Sequence, residues 1–227
     1  MTTKVDAARP HEGYFYGPGW YRFGLLFWGT LFRRYCRLRV RGREHIPTHG
    51  PAVITANHLS MLDPFLVGYT LGNPHPIAFM AKLELFKIAP VGFLLKQWGA
   101  FPVDRAKRDA GSMRTALSIL KAGEILGMFP EGTRSTTGDL QELRTGALRL
   151  AIRTNSPLIP VGIEGTDRSL PRHARFPKPA KITITFGPPL DLSAFANRRP
   201  TDAEIEHCSE ALRANLEALH QEGKSPW

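Results

Sequence analysis

Cysteine is scarce: the 227 residues hold only Cys36 and Cys208, with no CxxC pair and no histidine cluster at metal-ligand spacing. That excludes a disulfide framework and leaves no zinc-site signature, so the two read as free thiols of a reducing compartment. A long apolar run is lacking as well, since no stretch reaches the roughly 18 to 20 uninterrupted apolar residues of a membrane span. The start, MTTKVDAARPHEGYFYG, is polar and aromatic and lacks the basic, apolar and small-residue order of a signal peptide, which argues against secretion. Repeats and low-complexity tracts are absent too. Acidic residues are outnumbered, 20 against 30 Lys plus Arg, giving a formal charge of +10 that favours polyanionic partners: phospholipid surfaces, nucleic acid or phosphorylated cofactors. No RNA-binding or helix-turn-helix pattern supports the nucleic-acid option.

What is present begins with apolar residues at 42% of the chain, enough for a substantial core. Near the N-terminus, Phe23, Leu25, Leu26, Phe27, Trp28, Leu31 and Phe32 are followed by Arg33, Arg34, Arg37, Arg39 and Arg41. An apolar aromatic helix with a basic end suits the headgroup region of an anionic bilayer, with Trp and Tyr at the interface. The same pattern also fits a terminal helix packed on the core. The chain divides into a polar tail and interfacial helix over 1–37 and a domain with a C-terminal helix over 38–227.

From Leu38 onward, β-rich runs alternate with helical patterns. Strands are predicted over 38–42, 52–57, 76–81, 100–104, 124–130, 157–165 and 181–187, and helices over 64–71, 83–98, 111–122, 146–154 and 202–221. Such alternation predicts an α/β fold: a mixed, largely parallel sheet flanked by helices, with the N-terminal amphipathic helix as a membrane-associating element. The segment SLPRHARFPKPAK, 169–181, reads as an exposed basic loop whose charge suits lipid or cofactor phosphate, a solvated loop being the simpler reading.

Four stretches carry groups able to do chemistry. In NHLSMLDP, His58 follows the apolar run AVITA, where a strand leaves its sheet and α/β proteins place ligands. Asp63 before Pro64 matches a helix N-cap, yet a loop that folds back would set its carboxylate beside the imidazole. His58 and Asp63, five apart, do not share a helical face, so only a loop can join them. In GMFPEGTRS, Gly132 permits close approach to the backbone, Arg134 offers paired donors for a phosphate, and Glu131 suits a hydroxyl or the arginine. A turn closed by a Glu–Arg pair explains that loop equally well on its own. GAFPVDR, carrying Asp104 and Arg105, and LIPVGI, interrupted by Pro160, are weak signals singly.

In order, NHLSMLD, GAFPVDR, FPEGTRS and LIPVGI resemble the four sequence blocks of the glycerolipid acyltransferases, specifically the 1-acyl-sn-glycerol-3-phosphate (lysophosphatidic acid) acyltransferases. The resemblance spans Asn57 to Ile163. It implies His58 as general base and Asp63 as its orienting partner, Arg105 in the acceptor-phosphate block, and Glu131, Gly132, Thr133 and Arg134 in the acceptor-binding loop. Phe101-Pro102-Val103 departs from the bulkier run usual before Asp-Arg, and Arg144 stands where a lysine is common. Lys82 and Arg144 are further phosphate contacts under this reading. The implied reaction is direct acyl transfer from acyl-CoA or acyl carrier protein to a lysophospholipid, with no bound cofactor or metal and no nucleic-acid partner. It would take place at the cytoplasmic face of a membrane, on a peripheral or monotopic enzyme. Other lysolipid acceptors (lyso-ornithine lipid, lysophosphatidylglycerol), transacylation without CoA, and a membrane-binding module without catalysis stay open.

Overall fold

The computed structural model describes residues 17–71, 77–104, 110–196 and 198–226. Arg105, one of the expected site residues, lies outside them. Helix α1 (Pro18–Arg34) leads into β1 (Arg37–Arg41), then β2 (Ala52–Ala56), α2 (Asp63–Leu71), β3 (Ile77–Lys82), α3 (Leu83–Phe86), α4 (Ala89–Gln97) and β4 (Ala100–Val103). The chain continues through α5 (Ala110–Lys121), β5 (Ile125–Met128), α6 (Gly146–Thr154), β6 (Leu158–Glu164), α7 (Thr166–Ser169), β7 (Lys181–Phe186) and α8 (Asp202–Gly223).

The seven strands form one sheet in the order β1-β7-β6-β2-β5-β3-β4. Every neighbouring pair is parallel except β6 and β7, which run antiparallel. The sheet is therefore mixed and largely parallel, as the alternation of elements predicts. Each expected strand forms, with ends shifted by one or two residues.

Period-two alternation sorts the strand residues onto two buried faces. Val53, Ala78, Leu126 and Leu158 meet α5, α6 and α8 on one side. Ile54, Ile77, Ile125 and Ile159 meet α1 and α2 on the other, where Phe32 and Leu66 are fully covered. Helix α6 turns its buried Ala147, Leu148, Leu150 and Ala151 inward and stops at Asn155, whose φ of 49° is a left-handed C-terminal cap. Helix α8 starts with a capping box, Thr201 and Glu204 exchanging side-chain and backbone hydrogen bonds.

Two expectations are corrected. The single helix expected over 83–98 is two, α3 and α4, because the backbone of Ile88 is extended (φ −85°, ψ 103°) and Pro90 can only follow a helix start. Asp63 is not an N-cap but the first residue of α2, with its carboxylate turned back along the chain.

Candidate active site

The site forms at the carboxyl edge of the central strands, where β2 ends at Ala56 and β5 at Met128. Asn57 pins the exit from β2: its side-chain amide donates to the Ile163 carbonyl at 2.9 Å and accepts from the Ile163 N–H at 2.7 Å. The next residue, His58, thereby leaves a fixed base. Its Nδ1 lies 2.7 Å from Asp63 Oδ2, and Asp63 is fully buried. The same oxygen accepts the backbone N–H groups of Leu59 and Ser60, each at 2.7 Å. These bonds bend residues 58–63 into the tight loop that the five-residue spacing requires. A carboxylate so placed selects the tautomer with hydrogen on Nδ1 and leaves Nε2 to take a proton.

The loop after β5 supports the other sides of His58. Glu131 Oε1 accepts the His58 N–H at 2.6 Å, its Oε2 accepts the Gln141 N–H at 3.0 Å, and the Ser135 N–H donates to the His58 carbonyl at 2.7 Å. The imidazole stacks on Phe129 at 4.0 Å between centroids, and Phe129 stacks on Phe79 at 5.7 Å. Phe79 fits because residue 127 is glycine; a Cβ there would stand 2.2 Å from its ring. Gly132 turns the loop with φ of 71°, and its Cα side is covered by the Arg144 guanidinium.

Beside His58 opens a cavity of about 600 Å³, lined mainly by apolar side chains of α1, α2, β3 and α4. Phe65 and Trp98 meet edge to face on its wall, at 5.0 Å. Cations gather in the same cavity: Lys82, Arg134 and Arg172, with the Thr133 hydroxyl nearby in sequence. Burial first, then the neighbouring Arg172, hold the Arg134 guanidinium below its ordinary pKa, against the attraction of Asp63. Burial likewise raises the Glu131 carboxyl, opposed by its two backbone donors and by His58.

The expected residues thus fall into two groups. His58, Lys82, Thr133 and Arg134 line the cavity. Asp63, Glu131, Gly132 and Arg144 do not; Asp63 and Glu131 spend carboxylate oxygens on His58 or its backbone, and Arg144 packs on Gly132. The sequence reading missed Arg172, whose only signal was the basicity of its loop. Among the described residues, no group of three His, Cys, Asp or Glu side chains is placed to hold a metal ion.

The His58–Asp63 pair thus faces a largely apolar cavity with cations beside it. The chain belongs to the acyltransferase family, whose sequence profile matches residues 37–164. Among curated relatives, the 1-acyl-sn-glycerol-3-phosphate acyltransferase of Bacillus subtilis is 32% identical over 182 residues, covering 80% of this chain and 87% of its own. The enzyme of the same name from Borreliella burgdorferi is 29% identical over 158 residues, 69% of this chain and 62% of its own. Among solved structures, the 1-acyl-sn-glycerophosphate (LPA) acyltransferase PlsC from Thermotoga maritima superposes with a TM-score of 0.70 at 30% identity, covering 92% of this chain and 80% of that one.

Proposed function

We propose that the protein transfers a fatty acyl group from acyl-CoA or acyl carrier protein to the free hydroxyl of lysophosphatidic acid, giving phosphatidic acid. The observation that carries this reading is the 2.7 Å His58–Asp63 pair opening onto an apolar cavity that also holds Lys82 and Arg134. His58 Nε2 removes the hydroxyl proton as the oxygen attacks the thioester carbonyl. Collapse of the tetrahedral intermediate breaks the carbon–sulfur bond, and the departing thiolate takes the proton from the imidazolium, which Asp63 stabilises. The described cavity wall has no serine or cysteine, which favours direct transfer in a ternary complex over a covalent acyl-enzyme.

Arg134 and Lys82, with Arg105 as the sequence blocks imply, hold the acceptor phosphate and so fix the hydroxyl near Nε2, while the apolar wall takes an acyl chain. Thr133 adds a hydroxyl to that pocket. No helix among the described residues is long and apolar enough to cross a membrane. Helix α1 instead presents Trp20, Phe23, Leu26 and Phe27 to the exterior and ends in the exposed Arg33 and Arg34, a pattern that suits monotopic docking on anionic lipid at the cytoplasmic face.

The test is a panel in which purified protein receives acyl-CoA or acyl carrier protein as donor and a series of lysolipids as acceptors. Turnover of lysophosphatidic acid above lysophosphatidylglycerol and lyso-ornithine lipid is expected. No product from lysophosphatidic acid with either donor would reject the reading.

A further inference from the structure

The segment between α7 and β7 folds as a stapled loop that reaches the cavity through Arg172. Lys178 N–H donates to the Ser169 carbonyl, Ser169 Oγ donates to the Lys178 carbonyl at 2.8 Å, and Cys36 Sγ lies 3.3 Å from Ser169 Oγ. Ser60 Oγ, from the loop that carries His58, donates to the Leu170 carbonyl at 2.9 Å. The staple ties this loop to the catalytic one, and two residues beyond Leu170 it places Arg172 in the same cavity as His58, Thr133 and Arg134.

Arg134 and Arg172 line the same cavity, and the Arg172 charge adds to burial in holding the Arg134 guanidinium below its ordinary pKa. Among the described residues, neither guanidinium forms a salt bridge; Asp63 attracts Arg134 through space, but its Oδ2 is committed to His58, Leu59 and Ser60. Two like charges at one cavity, neither in a direct ion pair, favour an anion arriving from outside. A single negative charge balances one of them. A phosphate monoester carries about −1.5 to −2 at neutral pH and three acceptor oxygens, so it engages both guanidinium groups at once. A phosphodiester has one charge, two free oxygens, and a substituent where the second arginine would bind.

We infer that Arg172 is a specificity-determining binding residue that, opposite Arg134, selects an acyl acceptor ending in a phosphate monoester over one ending in a phosphodiester. This deepens the proposed function and rests on it. The 3′-phosphate of CoA is also a monoester, so the experiment must tell acceptor from donor.

Steady-state kinetics of the full chain and of Arg172→Gln and Arg172→Lys, in mixed micelles, do so. For Arg172→Gln, KM for lysophosphatidic acid should rise about tenfold, the worth of one charge-assisted hydrogen bond. Its kcat and its KM for acyl-CoA should stay within about twofold, since the chemistry at His58 is untouched. The preference for lysophosphatidic acid over lysophosphatidylglycerol should fall by about tenfold in kcat/KM. Arg172→Lys should recover part of both losses by restoring the charge without the fork. Because Arg172 is exposed, an unchanged circular dichroism melt is the expected control. An unaltered acceptor KM and preference, or a rise in the acyl-CoA KM instead, would overturn the inference while leaving the proposed function standing. A wild-type protein inactive on lysophosphatidic acid would overturn both.

Discussion

Glu131 holds His58 by its peptide N–H, at 2.6 Å, and not by its ring. Its second oxygen takes the Gln141 N–H, so this buried carboxylate is a strut between two loops. A glutamine here offers one acceptor and points an amide donor at a backbone donor. Glu131→Gln should therefore destabilise the fold by about 1–3 kcal/mol, the cost of a buried unmet donor. It should also lower kcat more than it raises the acceptor KM. A variant that loses acceptor affinity with kcat intact would instead make Glu131 a substrate ligand.

The same carboxyl gives a signed dependence on pH. Burial raises its pKa above the ordinary 4.5, so the folded protein binds this proton more readily than the unfolded chain. Its contribution to stability consequently falls as pH rises from 4.5 through the raised folded value. Urea midpoints measured across that interval should slope downward less for Glu131→Gln than for wild type. Identical slopes would show that Glu131 does not titrate differently on folding.

Asp63 performs two tasks with one oxygen, orienting the imidazole and closing the 58–63 loop. Asp63→Asn keeps the size but removes the charge that stabilises the imidazolium. A fall in kcat of about 10²–10⁴-fold is expected, the range for a positioned general base, with little change in the acceptor KM. His58→Ala should reach a comparable floor. Transferase activity surviving in His58→Ala would remove the mechanism.

The proposed docking of α1 on lipid can be tested apart from folding, because its exposed and buried side chains differ. Phe23, Leu26 and Phe27 are exposed, whereas Phe32 is fully buried. Replacing the first three with serine should weaken partitioning onto phosphatidylglycerol vesicles at least tenfold, since each buried large apolar side chain is worth about 1.5–3 kcal/mol. The melting temperature should hold. Sedimentation with vesicles equal to wild type would sink the docking role.

Gly132 sits at φ of 71°, with the Arg144 Nε 3.0 Å from where a Cβ would stand. Gly132→Ala should cost about 1 kcal/mol, read as a melting shift of about 2–4 °C. Acceptor KM should rise as well, because Thr133 and Arg134 follow the turn directly. A variant with an unshifted melt would show that the loop adapts.

Much of this was legible in the sequence. β-rich runs alternating with helical patterns located the seven strands of the sheet, and the five-residue interval between His58 and Asp63 demanded a loop that brings them together, as observed at 2.7 Å. The roles inside the Glu131 loop were less legible, because spacing cannot say whether a carboxylate faces a ligand or a backbone N–H. Arg172 was hidden for a different reason. Its place depends on hydrogen bonds from Ser60 to Leu170 and between Ser169 and Lys178, contacts that join residues 110 and 9 positions apart and leave no periodic trace. Helix 83–98 was misjudged because a brief extended turn at Ile88 is invisible within an apolar stretch.

Among the seven strands of the sheet, the antiparallel pairing of β6 with β7 fixes which end of the sheet α1 reaches. Since β1 follows the direction of β7, it starts at the edge of the sheet where β2 finishes. Helix α1, ending only three residues before β1, is delivered to that edge, and its Tyr21 and Leu25 become part of the wall that His58 shares. Had β7 run the other way, the same helix would have emerged at the far end of the strands, about 17–20 Å away for strands of ordinary length. The exposed aromatic side chains of α1 and the His58 site would then stand at opposite ends of the sheet. As built, strand polarity brings the exposed aromatic helix and His58 to one end of the sheet, which under the proposed function shortens an acceptor's path from bilayer to base.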